Sequence, residues 1–558
     1  MLPYSQYNRL MHITTPLGPD RLLLSAFCGR EALSELFRFR LDLLAARPLP
    51  VPFEEILGQP AGIHVGLPNG LSRPFHGIIS RFVQEQQDDT FTHYRAELVP
   101  KPWLLTRRTN SRVFQRRSVP EILQAILQEF DFSLQLAAEY PRRDYTVQYD
   151  ETDFDFISRL MEEEGIGYFF RYEDDRHEMV IFDNSRQLAD LPGGTPLIYE
   201  TVTDGIREDT RITSWSKSQE ICSSEVVVRD YSFELPEQHL DASRKTPSSV
   251  QIAQIEHQLP GSEMTMEHYE FPGGYARWFD GVDPGGADQS DDPPRTFEQK
   301  ERIASVRMEE KTAAAFHIEG EGNSLQLSPG LKFTLTRHFD ADDKYLIRSV
   351  EHEARLSSGF RSSDASPGLS YSNCFTCLPE SVPYRPPRST PRPAIPGVQT
   401  ATVVGPDENE LFVDKYGRVK VRFHWDRDLE ENQAGSCWIR VAQVWAGPTW
   451  GAFFWPRVGN EVVVTFVDGD PDQPLIVGSV YNAKNMPPVD LPDEKMVGGI
   501  KSKIFDGDPS TQFNALYFHD SPGTEYVHVH SEKNEMSNSE HNKLHYVAGA
   551  QVTFCGGF

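Results

Sequence analysis

The sequence predicts a mainly β protein with some α, an α+β chain of several domains. Three observations carry that expectation. Apolar and polar residues alternate with period two over much of the chain, the pattern of half-buried strands. Helix-start signals or helical spacing appear in only a few places, near 118–130, 152–165 and 297–314. A proline-rich tract at 383–396 separates a long mixed region from a compact run of short strands, which Gly and Pro punctuate.

Length and charge bound the rest. A chain of 558 residues has room for several cores. It carries 55 basic against 82 acidic residues, a formal charge of −27. Such a balance argues against binding nucleic acid or anionic lipid, both of which need cationic surface. No run of about 18 apolar residues exists for a membrane span. The start, MLPYSQYNRLMHITTPLG, lacks the basic-then-apolar order of a signal peptide, so the chain is expected to stay cytoplasmic until other machinery exports it. Six cysteines do not make a disulfide framework. Cys374 and Cys377 have C-x-x-C spacing with no second pair. A zinc site there would need ligands from elsewhere, such as His338 or His352, and a plain turn with free thiols is expected instead.

In chain order, 22–44 alternates as two strands around a turn, and Glu54-Glu55-Ile56-Leu57-Gly58 reads as a short turn or helix. Strands are expected at 63–67, 73–82 and 93–99, with Pro68-Asn69-Gly70 closing a hairpin. Ser118, Pro120 and Glu121 form a capping-box start for a helix reaching about Phe130. Thr152 or Asp153 caps a second helix, along which Phe156, Ile157, Leu160 and Met161 recur at helical spacing. It ends in Glu162-Glu163-Glu164-Gly165, read as a solvated last turn with a glycine cap rather than an acid–base or metal site. A hairpin follows at 168–172 and 178–182. Further strands are expected at 212–216, 225–231, 267–269, 332–337 and 345–352, and one long helix at 297–314. Pro272-Gly273-Gly274 and the Asp/Gly/Pro tract 280–294 read as a surface excursion.

After the proline tract, Val419, Val421 and Phe423 alternate with Lys420, Arg422 and His424. Runs at 437–444 and 461–467 are rich in β-branched and aromatic residues. Asp468-Gly469-Asp470-Pro471 then punctuates before 474–481 returns as a further strand. Four or five short strands in so few residues suggest a small closed barrel such as an OB-fold. Met486-Pro487-Pro488 and Gly498-Gly499 make a neck, and short strands are expected at 515–519, 525–530 and 543–547.

The stretches KYGRVKVRFHWD, SCWIRVAQVWAG and WGAFFWPRVGNEVVVTFVDGDPDQPLIVGSVYN, in that order, closely resemble the barrel of the VgrG family, the trimeric spikes of type VI secretion systems. Upstream, FHGIISRF, YRAELVPKPWLLTRRTNSRVFQ and DFDFISRLMEEEGIGYFF resemble the same family's phage-hub-like region. The resemblance is weakest at 280–294, whose role it leaves open, and in the last few residues. It implies a hub-like base of two barrel-like domains at 1–382, a linker at 383–396 and an OB-fold barrel at 397–484. A neck at 485–514 would lead into an intertwined β-prism or β-helix spike starting at 515–558. It also implies a homotrimer standing on a tube of Hcp hexamers and touching baseplate proteins, with a PAAR-repeat tip and effectors at the far end.

No catalytic, cofactor or metal residue is assigned. The chain lacks G-x-S-x-G, H-E-x-x-H and G-x-x-x-x-G-K-[ST], and Gly320-Glu321-Gly322 lacks the third glycine of a dinucleotide site. The neck is too short for the enzyme domain that some phage relatives carry there. His528 and His530, two apart on a strand, point to one side, and a threefold trimer would gather six imidazoles. The alternative puts Val527 and Val529 inward and leaves both histidines wet, without metal. His541 and His545 make no helical pair. The ending GAQVTFCGGF has no stop-like cap, which leaves open an effector domain beyond Phe558. The hub-spike of a contractile phage or phage-like particle is the other reading of the same architecture.

Overall fold

The computed structural model describes residues 4–554 apart from 8, 49, 67–71, 193–195, 202–209, 260–265, 290–291, 358, 362–367, 407–409 and 428–434. The expected turn at Pro68-Asn69-Gly70 lies outside the described residues. The strands on either side of it, Pro60–Gly66 and Ser72–Gln87, pair antiparallel.

The region before the proline tract is organised by one strand of 13 residues, Lys344–Leu356. Along one edge it pairs first with Lys332–Thr336 and then, from Ser349 to Arg355, with Leu23–Ala32. Its other edge pairs along its length with Leu369–Pro379. It thus belongs to two curved layers. Six strands close on themselves: Lys344–Leu356, Lys332–Thr336, Leu197–Tyr199, Arg211–Gln219, Phe316–Gly322 and Leu369–Pro379. The other layer runs through Leu23–Ala32, Arg38–Ala46, Phe91–Val99, Ser72–Gln87 and Pro60–Gly66 to Met11–Thr14. Each layer encloses its own core. One centres on Phe27, Phe39 and Phe75, whose rings meet at 5.1–6.1 Å, and the other on Phe333, Tyr345 and Phe375.

Among the described residues the α-helices are α1, Val119–Leu127; α2, Asp153–Glu164; and α3, Asp292–Ala314. Ser118 and Glu121 form the expected reciprocal capping box on α1. The Thr152 hydroxyl accepts from Asp155 N and caps α2, and Gly165 ends that helix in the left-handed region at φ 72°.

The acidic end of α2 is not solvated. Glu163 and Glu164 are buried, and their carboxylates are taken by arginines from distant segments. Arg143 bonds both, at 2.8 Å to Glu163. Arg277 and Arg392 reach Glu163 at 3.4 and 2.9 Å, and Arg302 pairs with Glu164. These guanidinium groups hold the Glu163 carboxyl well below the usual carboxylate range, against a desolvation that pushes the other way.

The tract after Pro272 is surface only in part: 285–288 are exposed as expected, while Gly273, Gly274, Gly281 and Val282 are buried, as are Tyr275, Trp278 and Phe279 between them. The Tyr275 hydroxyl donates to Leu240 O at 2.6 Å. Asp280 accepts both ends of the Arg418 guanidinium at 2.8 and 3.0 Å, and Trp438 Nε1 donates to Asp283 O at 2.7 Å. The stretch is therefore a clamp between base and barrel. Glu234 sits beside it, where burial and the Asp280 carboxylate push its carboxyl up to about 7.

The proline tract makes no regular structure yet is docked rather than free. Tyr384 and Ile395 are buried, Arg388 holds Glu270 at 2.6 and 2.9 Å, and Thr390 caps Glu162 at 2.7 Å. Beyond it, five strands run in the order Lys420–Phe423, Gln399–Val404, Glu461–Phe466, Pro474–Val480, Arg440–Val441. The Val419–Ile439 bridge closes the ring, which is the strand order of an OB-fold. Val419, Val421 and Phe423 face inward as expected. Lys420 departs from the alternation. It is buried with Nζ 5.2 Å from the centre of the Trp438 ring, and burial pushes its ammonium down to about 8.

Glu163→Gln should leave Arg143, Arg277 and Arg392 short of an anion and cost about 3–5 kcal/mol, read as a lower urea midpoint at pH 7. The sign with pH follows from the lowered carboxyl. Its contribution is full above the ordinary carboxyl value and is lost as pH falls through the folded one, so the gap between wild type and variant should narrow in acid.

Candidate functional site

Neither catalytic nor metal chemistry is gathered by the residues that the sequence brings forward for it. Cys374 and Cys377 lie not in a turn but within the strand Leu369–Pro379, where a three-residue offset puts them on opposite faces, one exposed and one buried. His352 is committed to Tyr371 and Glu31 at 2.7 and 3.0 Å, and His338 to Asp340 at 3.0 Å. Among the described residues no cluster of three or more His, Cys, Asp or Glu is arranged to hold a metal ion.

The distinctive feature is an apolar face without a cover. The strands Val497–Lys503, Phe513–His519 and Tyr526–His530 form one antiparallel sheet. Gly498-Gly499, expected in the neck, therefore lies within a strand. The register sets Ile500 beside Leu516 and Val529, and Phe518 beside Val527. Antiparallel partners project to the same side, so these five side chains make one face. All are exposed in the single chain, Val527 by 63%.

The opposite face carries Tyr517 beside His528, His519 beside Tyr526, and His530 beside Ala515. His528 and His530 share that side, with ring centres 6.1 Å apart, and Val527 and Val529 point away from them. His530 has Glu532 at 3.9 Å.

Past His530 the chain forms no strand among the described residues, and the strand expected at 543–547 is absent. Leu544, Tyr546, Val552 and Phe554 are exposed there, Phe554 by 93%. A strand needs a partner, and these residues find none within their own chain. Sequence alternation marked the strands, but only the register revealed that their apolar sides line up as one uncovered surface.

The tail is fixed to the barrel by a small polar joint. Glu410 accepts from Asp506 N at 3.0 Å and pairs with Lys503, while Arg457 donates to Lys503 O at 2.7 Å. The apolar face thus leaves the barrel in a set direction.

Residues 30–358 match the family model for the phage tail baseplate hub, and 399–481 match the type VI secretion system/phage-baseplate injector OB domain. The spike protein VgrG1c of Pseudomonas aeruginosa is 35% identical over 549 residues, 98% of this chain and 71% of the relative. VgrG1a of the same organism is 36% identical over 535 residues, covering 95% and 78%. The actin cross-linking toxin VgrG1 of Vibrio cholerae is 32% identical over 530 residues, but the match takes in only 45% of that longer protein. Among solved structures, the E. coli c3393 protein, a component of the type VI secretion system, aligns with a TM-score of 0.54 at 21% identity, over 84% of this chain and 99% of that one. A chain of the Francisella PdpA–VgrG complex also gives 0.54, at 10% identity, over 95% of this chain and 90% of that one. Fold, order of domains and near full-length identity agree, and the chain belongs to the VgrG family of type VI secretion spike proteins.

Proposed function

We propose that this chain is one third of a homotrimeric puncturing spike at the tip of a type VI secretion tube. The uncovered face of Ile500, Leu516, Phe518, Val527 and Val529 carries the reading. An exposed apolar patch of this kind on a soluble protein marks an interaction surface. Three copies wound around one axis would turn those faces inward and supply strand partners for the segment after His530, removing open edges.

The base, residues 1–382, would stand on the tube. Two barrel-like layers per chain, three chains to a spike, would meet the six subunits of an Hcp hexamer and neighbouring baseplate proteins. The tract 383–396 and the barrel at 397–484 would follow, then the neck expected at 485–514, of which Val497–Lys503 already forms the first strand of the spike sheet. That sheet and the chain beyond it would carry a PAAR-repeat tip and effectors. The work is mechanical: the protein is made in the cytoplasm, loaded on the tube and driven into the target cell, and it catalyses nothing itself. With the valines turned to the axis, His528 and His530 would lie on the outside and bind no metal.

Sedimentation of the full-length protein should give the mass of three chains. Val529→Asp should weaken assembly at least tenfold, because three carboxylates would meet near the axis without partners. A mutant that assembles as tightly as wild type would remove the apolar face from the account.

Elemental analysis of protein made without a histidine tag should find far less than one iron or zinc per three chains. One metal per trimer, lost in His528→Ala, would reverse the orientation given to this sheet.

Incubation with purified peptidoglycan, lipid vesicles or DNA should release no product. Dose-dependent hydrolysis abolished by a single carboxylate substitution would make the chain an enzyme.

A further inference from the structure

We propose that the loop 231–234 is a proton-controlled latch between base and barrel, shut while the Glu234 carboxyl keeps its proton and released when it ionises. All its contacts lie within one chain, so it does not depend on the homotrimer reading above.

The loop follows the base strand Glu225–Asp230 and engages the far side of the joint with two neighbouring side chains. The Phe233 ring meets the Tyr416 ring of the barrel edge to face at 5.3 Å. The Arg418 and Arg440 guanidinium groups lie over Phe233 at 5.1 and 4.8 Å. Glu234 turns to the clamp instead. Its Oε2 accepts from Gly281 N at 2.9 Å, and its side chain is only 4% exposed. Its Oε1 is buried without a hydrogen-bond partner. Arg418 Nη2 stands 3.7 Å from the Glu234 carboxylate, beyond hydrogen-bond reach.

Counting charges places the proton. Arg418 already serves Asp414 through Nε and both oxygens of Asp280 through its terminal nitrogens. Glu234 brings a third carboxyl group to the same guanidinium. A like charge beside a buried carboxyl favours its protonated form. Of the three acids only Glu234 has an oxygen left over, since Asp414 also accepts from two backbone amides and Asp280 from Val282 N. A proton turns that orphan acceptor into a donor toward Asp280.

The other charged groups along the seam have partners of their own. Lys420 faces Asp280 and Asp283 from the barrel and keeps its proton below about 8. Asp144 has Arg116 at 3.8 Å, and Asp472 has Arg277 at 3.5 Å. Burial keeps the Cys437 thiol and the Tyr145 phenol neutral.

The direction with pH follows. Burial and Asp280 raise the Glu234 carboxyl from an ordinary 4.5 to about 7, so the shut latch holds a proton that a solvated Glu234 would release. The latch is tightest below the ordinary value, and that advantage is lost as pH rises to about 7. A cavity of about 170 Å³ beside Glu234, lined also by Tyr231 and Arg440, gives the ionised carboxylate room to meet water. The loop can therefore leave the barrel without disturbing either core.

Hydrogen–deuterium exchange of the full-length protein, corrected for the intrinsic effect of pH, reads the latch at the Gly281 amide. The opening constant there should rise at least tenfold from about pH 5 to about pH 7.5, while amides of the strand Lys344–Leu356 hold steady. Glu234→Gln, which can keep both bonds without a titrating proton, should stay protected at both values. In Gly281→Ala the added Cβ would lie 2.7 Å from Glu234 Oε2 and displace the carboxyl, so this amide should exchange freely at both. Equal protection of wild type at the two pH values overturns the latch. So does a Gln variant that responds like wild type, an Ala variant as protected as wild type, or a change that Lys344–Leu356 shares. None of these outcomes bears on the oligomer, which sedimentation reads separately.

Discussion

The arrangement of base, proline tract and barrel depends on one buried carboxylate, Glu163 at the end of α2. Its partners come from three places: Arg143 on a base strand, Arg277 on the clamp and Arg392 in the proline tract. Arg277 extends the chain of charges into the barrel, where Asp470 and Asp472 face it. Asp472 in turn accepts from Val147 N at 2.7 Å, back on the base. Taking this many charges out of water is costly, and apolar packing in the same space would serve bulk stability as well. Such a network supplies direction. A guanidinium accepts only a few geometries, so bodies joined through it hold one relative orientation that a greasy contact would let slide.

That joint explains why the proline tract is not the flexible tether that its composition suggests. Prolines keep the chain extended, and the arginines between them take up Gly165 O, Glu270 and Glu163 in turn. Ile395 N then bonds Gly469 O, delivering the chain to the barrel loop that carries Asp470. Load applied along the molecule would pass through many short polar contacts in parallel, not through one strand of backbone. For the mechanical spike proposed above, a docked connector of this kind would serve better than a free one.

Local signals were legible in the sequence and long-range ones were not. Ser118 with Glu121, Thr152 and Gly165 act within four residues of themselves, and each does what its spacing predicts. The closed barrel follows from alternation in Val419, Val421 and Phe423, because apolar side chains two apart need one common interior. Glu163 is the opposite case. Nothing near it distinguishes a solvated helix end from a buried one, since its partners Arg143 and Arg277 lie 20 and 114 residues away. Lys420 fails in the same way: its place on the strand predicts an outward side chain, but Trp438 roofs it over. The tract at 280–294 carries the composition of a loop, and its bonds to Arg418 and Trp438 belong to tertiary packing that composition cannot report. The tail strand missing at 543–547 is a different failure. Its alternation is real, and a strand with that pattern requires an edge that one chain does not provide.

Charge and apolar surface together bear on how such a body can assemble. Three copies of a −27 chain would carry three times that charge, −81, and Coulomb repulsion between them falls off only over the Debye length, about 8 Å in physiological salt. Association has to come from contacts that act inside that distance and carry no charge of their own. The tail sheet meets the condition: its apolar face is Ile500, Leu516, Phe518, Val527 and Val529, while the polar and titratable groups, Tyr517, His519, His528 and His530, are kept on the other side. The net negative charge also opposes unspecific aggregation of the same apolar residues, since copies repel one another wherever carboxylates meet. A protein that exposes this much apolar surface in the single chain can thus stay soluble before assembly, provided its charge covers everything except the faces that are meant to meet.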